Sequence, residues 1–324
     1  MTQPLDVIAV TGASGYVGAL LLQKLEEQGD LRKLVAIDVN PPPLPIHNIA
    51  VYRQDVTNPI DELLDDHRVS TLVHLAFITE AGINRREIMY NREANLASLR
   101  SVLNSCLRAR IKHFVYLSSH AVYGAHPDNP VPLSDGAPLR PSPDIPYAYD
   151  KFLSEQIIQE FAEQHPEIKV TVLRPCLVLG PNANNKVTRA FFRPWLMAVH
   201  DCNPPIQFLY EDDLARVLTI IIKQGIPGVF NVAGEGVVFY RELAEIIKSR
   251  LIELPAFLGY PLVQLTWRLH LQRHSTAAGL DMVRYPIVLS TSKLRHTTGY
   301  RFWHTSRDAL ESYTNACLLY QDVV

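Results

Sequence analysis

Tyr147 and Lys151 stand four residues apart, and Ser119 lies upstream of both. An unperturbed tyrosine, with a pKa of about 10, is a poor base at neutral pH. On a helix, positions i and i+4 project from one face, which puts the Lys151 ammonium beside the Tyr147 phenol. A neighbouring cation favours the phenolate and moves it toward the range of a working general base. Ser119 follows the apolar run Phe114–Leu117, and its hydroxyl can hold the oxygen from which the tyrosine removes a proton. Tyr149 competes for the same role, but the residue four positions on is Leu153 rather than a cation. These three side chains suit proton transfer at an alcohol oxygen.

A second constellation, Thr11-Gly12-Ala13-Ser14-Gly15-Tyr16-Val17-Gly18, follows the apolar run Val7–Val10 and opens into Ala19–Leu22. A strand, a glycine-spaced turn and a helix form a phosphate cradle. The first glycine permits the turn, the second lets backbone amides approach a pyrophosphate, and the third lets helix and strand sit close. The helix that Tyr16 and Val17 begin adds partial positive charge. Asp38 ends the next apolar run, where a carboxylate accepts hydrogen bonds from ribose hydroxyls. That carboxylate would repel a 2′-phosphate, and Val39 and Asn40 offer no arginine to offset it, so NAD is favoured over NADP.

The elements that position these groups alternate. Apolar strand-like runs at 7–10, 34–37, 49–52, 71–76, 112–118 and 169–173 are separated by helical patterns near 16–28, 60–67, 85–109 and 147–164. This predicts an α/β fold of the Rossmann type, a doubly wound parallel sheet with helices on both faces. Residues 125–146 contain seven prolines and read as a surface loop, as does Pro41–Pro45. Phe230–Gly234 reads as a late strand returning to the sheet. The expected organisation is an NAD-binding domain of residues 1–181 plus about 206–234. A smaller, mostly helical substrate lobe is expected from about 182–205 and 235–324.

The 324 residues are 47% hydrophobic and 20% charged, with a net charge of −2, so bulk basicity gives no reason to expect a nucleic-acid partner. Cys106, Cys176, Cys202 and Cys317 have no metal-ligand or disulfide spacing, which predicts free thiols, no metal and a reducing, cytoplasmic setting. The apolar segment Leu214–Ile222 is too short to span a membrane, and no membrane partner is expected.

Taken in order, Thr-Gly-x-x-Gly-x-x-Gly, Ser-Ser-x-x-Val-Tyr-Gly at Ser118–Gly124, and Tyr147-x-x-x-Lys151 resemble the extended short-chain dehydrogenases/reductases, the family of sugar-nucleotide epimerases and dehydratases. The resemblance implies that Leu75 and Ala76 flank the adenosine and that Asp55 and Val56 lie near the adenine. It implies that Asn95 shapes the catalytic neighbourhood and that the segment from Leu173-Arg174-Pro175 through Gly180-Pro181 covers the nicotinamide, with Pro175 at the cofactor. Lys151 would also bind the nicotinamide ribose. A homodimer through the helices near 85–109 and 147–164 is a further implication.

Two departures narrow the reaction. Family 4,6-dehydratases carry a threonine followed by an Asp-Glu pair where this chain has Ser119-His120-Ala121, which argues against dehydration. Many epimerases carry a diphosphate-binding asparagine where this chain has Leu177. Arg189, Arg193, Arg268 and Arg273 are other phosphate candidates. The leading expectation is NAD-dependent oxidation of a secondary alcohol on a small molecule, nucleotide sugars included, in the manner of a sugar-nucleotide epimerase. A dehydrogenase or reductase of another hydroxylated small molecule is the alternative. A non-catalytic NAD(H) sensor ranks lower, because such proteins usually lose the tyrosine or the lysine.

Overall fold

The computed structural model describes residues 7–28, 33–43, 49–80, 82, 84–183, 195–269 and 276–321. The chain divides into two compact units: the described parts of Met1–Ser118, Leu153–Arg174 and Ala215–Phe230, and those of Ser119–Phe152, Pro175–Leu214 and Asn231–Val324. This contact-based division assigns residues 119–152 to the second unit, whereas the sequence suggested a boundary near 181.

The first unit is built on β1 (Val7–Thr11), β2 (Lys33–Asp38), β3 (Ile49–Arg53), β4 (Thr71–His74), β5 (His113–Leu117), β6 (Lys169–Pro175) and a later strand. The helices α1 (Tyr16–Glu27), α2 (Asp61–Asp66), α3 (Arg85–Arg108) and α4 (Pro146–Gln164) connect them. The sheet order is β3-β2-β1-β4-β5-β6, with the late strand at the edge beside β6, and the six named strands run parallel. Order reverses between β1 and β4, the kind of switch point at which doubly wound sheets bind ligands. A parallel sheet covered on both faces requires nearly continuous apolar strands. Ile8, Ala9, Val10, Leu72, Val73, Phe114 and Val115 meet that demand and are fully buried. Val56, Leu64, Leu99, Val102 and Ile158 extend the same core from the helical layers.

Chain order then continues through β7 (Leu177–Leu179), β8 (Trp195–Val199), β9 (Pro205–Ile206), β10 (Phe208–Tyr210), α5 (Glu211–Gln224), β11 (Gly228–Val232), β12 (Val238–Phe239), α6 (Tyr240–Ile246), β13 (Arg250–Leu254), α7 (Ala256–Arg268), α8 (Ser292–Thr298) and α9 (Ser306–Gln321). β11 is the sheet's edge strand, so the expected return of the chain near residue 230 is observed. The apolar segment from Leu214 to Ile222 lies in α5, with Leu214, Leu218 and Ile221 buried as core. Among the described residues, no helix is long and apolar enough to cross a membrane.

The second unit contains more strand than its helical patterning suggested. β7 pairs with β10 and β8 with β13 in parallel, and β9 pairs with β12 in antiparallel. These strands are two to five residues long, too short for periodicity to separate them from helical turns. Asp213, fully buried at the start of α5, accepts bonds from Trp303 N (3.0 Å), His304 N (3.1 Å), His304 Nδ1 (2.9 Å) and the Tyr300 hydroxyl. That knot satisfies a carboxylate that would otherwise be costly to bury. The proline-rich loop before α4 is irregular, as expected. It is tied down by Arg140 to Asp128 (2.8 Å) and by Asp135, which accepts from Asn231 N (2.5 Å). Leu44, Pro45, Arg189, Arg193 and Arg273 lie outside the described residues, and Arg268 is exposed.

Candidate active site

In the first unit, Gly12 turns with φ +70°, and a Cβ built there would lie 2.5 Å from Ala76 N and 2.6 Å from the Leu75 carbonyl carbon. A Cβ on Gly18 would lie 2.2 Å from the Gly12 carbonyl oxygen. Only glycine lets the loop press against the chain just after β4 and α1 press against the loop. Gly12 N donates to Ile37 O (3.0 Å) and Gly15 N to Gly12 O (3.1 Å), which closes the turn. Gly15 caps α1, and the helix N-terminus that begins at half-exposed Tyr16 and Val17 carries partial positive charge suited to a ligand's phosphate oxygens. Asp38 ends β2; its Oδ2 accepts from Ser14 N (3.0 Å) and its Oδ1 from Asn40 N (3.0 Å). The ribose-binding candidate is thereby locked to the glycine loop. A backbone cradle, a helix N-terminus and an oriented carboxylate fit a dinucleotide's pyrophosphate and adenosine ribose.

The neighbouring candidates have distinct local roles. Asn95 is buried in α3, and its amide grips the chain after β4, accepting from Ile78 N (2.7 Å) and donating to Ile78 O (3.2 Å). It fixes the chain at Ile78, two residues beyond Ala76. Asp55 Oδ1 accepts from Thr57 N and Thr57 Oγ1, both at 2.9 Å, and shapes the turn into α2. The Val56 side chain belongs to the core, so any contact with an adenine there falls to its backbone.

In the second unit, Ser119 leaves β5 in extended geometry and caps a 3-10 turn, His120–Tyr123, its Oγ accepting from Ala121 N (3.2 Å). A hydroxyl that accepts from the backbone keeps its proton to donate. Ser119 hydrogen-bonds the Tyr147 phenol and draws its pKa down, but burial outweighs that and leaves the phenol above the usual tyrosine range. Conversion of Tyr147 to a base therefore requires positive charge nearby. Lys151, one turn further along α4, is buried and lies on the same helix face. The structure brings Ser119 and Tyr147 within hydrogen-bond distance.

His120, which the sequence reads as a local packing or hydrogen-bonding residue without a catalytic role, lies beside Ser119. Its Nδ1 lies 3.5 Å from Ser119 Oγ, and its ring is hydrogen-bonded to the Pro175 carbonyl. Burial pushes this imidazole down to about 4, so it is neutral at physiological pH. One group went unread in the sequence. Glu155, four residues beyond Lys151, receives Arg174 Nε (3.0 Å) and Nη2 (2.6 Å) in a bidentate pair. Ser118 donates to the same carboxylate, and both charged side chains are only 7% exposed. Within the first unit, this buried pair ties the part of α4 that follows Phe152 to β6 and to the end of β5. Among the described residues there is no cluster of metal ligands, and all four cysteines are free thiols.

Comparison with known proteins identifies the family and the fold. An uncharacterized protein of Mycobacterium tuberculosis is 23% identical over 316 residues, covering 95% of this chain and 83% of its own length. A UDP-glucose 4-epimerase of Erwinia amylovora is 28% identical over 188 residues, about half of either chain (52% of each). Two solved structures are similar in fold. One is the UDP-glucose 4-epimerase of Thermotoga maritima with UDP-glucose (TM-score 0.75, 19% identity, covering 97% of this chain and 99% of that one). The other is a UDP-N-acetylglucosamine 4-epimerase of Methanobrevibacter ruminantium M1 (TM-score 0.75, 19% identity, covering 98% and 100%). Residues 8–233 match the description of a single family, and the chain belongs to it: the NAD dependent epimerase/dehydratase family.

Proposed function

We propose that this protein is a 4-epimerase of a nucleotide sugar, acting through Ser119, Tyr147 and Lys151. The observation that carries the reading is the Ser119–Tyr147 hydrogen bond, with Lys151 one helical turn away on the same face. When bound, NAD supplies the acceptor and donor of a hydride at the carbinol carbon. Tyr147 takes the proton from the substrate hydroxyl as the alcohol is oxidised and gives it back on reduction. Ser119 hydrogen-bonds the same oxygen and holds it in line for that transfer. Lys151 contributes the positive charge that offsets the burial of the phenolate. The UDP-sugar epimerases similar in sequence and fold support a nucleotide sugar as substrate.

Leu177 favours a second reading. It stands on β7 where many epimerases place a diphosphate-binding asparagine, which fits a hydroxylated substrate without a nucleotide and a net dehydrogenase reaction. The experiment that separates them feeds UDP-glucose to the NAD-loaded protein. Formation of UDP-galactose without accumulation of NADH supports epimerisation, whereas NADH formed in step with substrate consumed assigns a dehydrogenase. In either case Tyr147→Phe is expected to lower turnover by roughly 10²–10⁴-fold while NAD binding persists. Near-native turnover by that variant rejects Tyr147 as the base. The reading includes a two-fold dimer through α3 and α4; exposed Met89 and Tyr90 on α3 support it, and a monomer by light scattering removes it.

A further inference from the structure

The helix α7 in the second unit is apolar on both of its faces, and among the described residues one face is packed and the other exposed. Its inner face places Gly259 and Val263 in a small core with Val199 and Leu280. Phe257 is 75% exposed, Leu258 51%, Leu262 47% and Leu265 54%, with Leu269 at 58% just beyond the helix. At 100° per residue these side chains and Arg268 fall in one outward sector about 140° wide. Together they expose on the order of 500 Å² of apolar surface, near the top of the range for the largest such patch on a monomer.

Charge distinguishes among occupants. From Leu254 to Leu280 the sequence contains no Asp or Glu, although the chain has 33 acidic residues in 324. Arg268 lies at the margin of the apolar sector, and the sequence continues His270-Leu271-Gln272-Arg273-His274. A second copy of this chain would set Arg268 against a face without carboxylates. An anionic bilayer matches both features, because Phe and Leu enter the acyl boundary while arginine reaches up to lipid phosphates. The helix has 13 residues, giving a length of about 20 Å against an apolar bilayer core of about 30 Å, so it lies along the surface rather than across it.

We propose that α7 is an interfacial membrane-binding helix that docks the second unit on anionic lipid surfaces through Phe257, Leu258, Leu262, Leu265 and Leu269. The inference amends the expectation of no membrane partner, which rested on the absence of a spanning segment. It is independent of the epimerase reading. The test is co-sedimentation of the full chain with vesicles of phosphatidylcholine alone and of phosphatidylcholine mixed with phosphatidylglycerol. The wild-type protein is expected to sediment with the mixed vesicles. Replacing Leu262→Gln together with Leu265→Gln should cut the partition coefficient roughly tenfold or more, and Phe257→Ser several-fold. Arg268→Gln should lower binding to the mixed vesicles by about fivefold and leave binding to phosphatidylcholine unchanged. Thermal melting of every variant should match wild type, because the replaced side chains are exposed. Wild-type protein that stays in the supernatant with mixed vesicles overturns the proposal, as do Leu262→Gln/Leu265→Gln variants that bind like wild type. A double variant that only shifts the mass in light scattering reassigns the face to a second copy and overturns it equally.

Discussion

Replacing Gly18 by alanine tests whether the loop after β1 is a cofactor cradle. The new Cβ would lie 2.2 Å from the Gly12 carbonyl oxygen and 2.8 Å from Ala13 Cα. Ordinary carbon contacts sit at about 3.5–4.0 Å, so α1 and the loop must separate by roughly 1 Å. Overpacking of this kind costs about 1–3 kcal/mol. The carbonyl that is pushed away also accepts from Gly15 N, a bond worth about 1 kcal/mol net. The atoms that move are those that a cradle would set against the pyrophosphate, so on the proposed reading about 2 kcal/mol of this is expected in ligand binding, a loss of roughly 30-fold in NAD affinity. Isothermal titration with NAD, paired with thermal melting, reads both effects. Gly15→Ala is the graded companion, because its Cβ meets only the Gly12 carbonyl oxygen at 3.2 Å and should cost a few-fold at most. Gly136→Ala is the control, with nothing within 4 Å of the added carbon, and NAD affinity should not change. Wild-type NAD affinity and melting in Gly18→Ala, or equal damage in Gly136→Ala, would refute the cradle assignment.

Other expectations rest on the buried Glu155–Arg174 pair and on the burial of His120. Arg174→Met leaves the Glu155 carboxylate buried at 7% exposure without its partner and should destabilise the fold by about 3–5 kcal/mol in urea unfolding; a loss under about 1 kcal/mol rejects the pair as a structural pin. Part of the acid response of stability should trace to His120, whose imidazole is held at about 4 when folded against about 6.5 unfolded. The unfolded chain binds the proton first, so stability is complete above about pH 6.5 and falls as pH drops toward about 4, by about 2 kcal/mol between pH 6.5 and 5. His120→Gln should flatten that slope, and an identical slope in both proteins removes His120 as its source.

The parts of this protein legible in the sequence are those built from local spacing. Strand–turn–helix patterning around Thr11–Gly18 and the i, i+4 relation of Tyr147 and Lys151 depend on backbone geometry over a few residues. Their elements duly appear as β1, α1 and α4. The alternation of apolar runs likewise predicted a doubly wound sheet, because a parallel sheet needs strands apolar on both faces. What the sequence could not show is what long-range packing decides. The locking of Asp38 onto Ser14, the grip of Asn95 on Ile78, and the pairing of Glu155 with Arg174 and Ser118 join residues 17 to 37 positions apart, or from separate elements. The neutrality of His120 is set by what buries it, which no neighbouring residue announces. The apolar character of Phe257–Leu269 was visible in the sequence, but the structure alone showed that, among the described residues, one face is packed and the other exposed. Helical periodicity states which residues share a face; only tertiary packing determines which faces have partners.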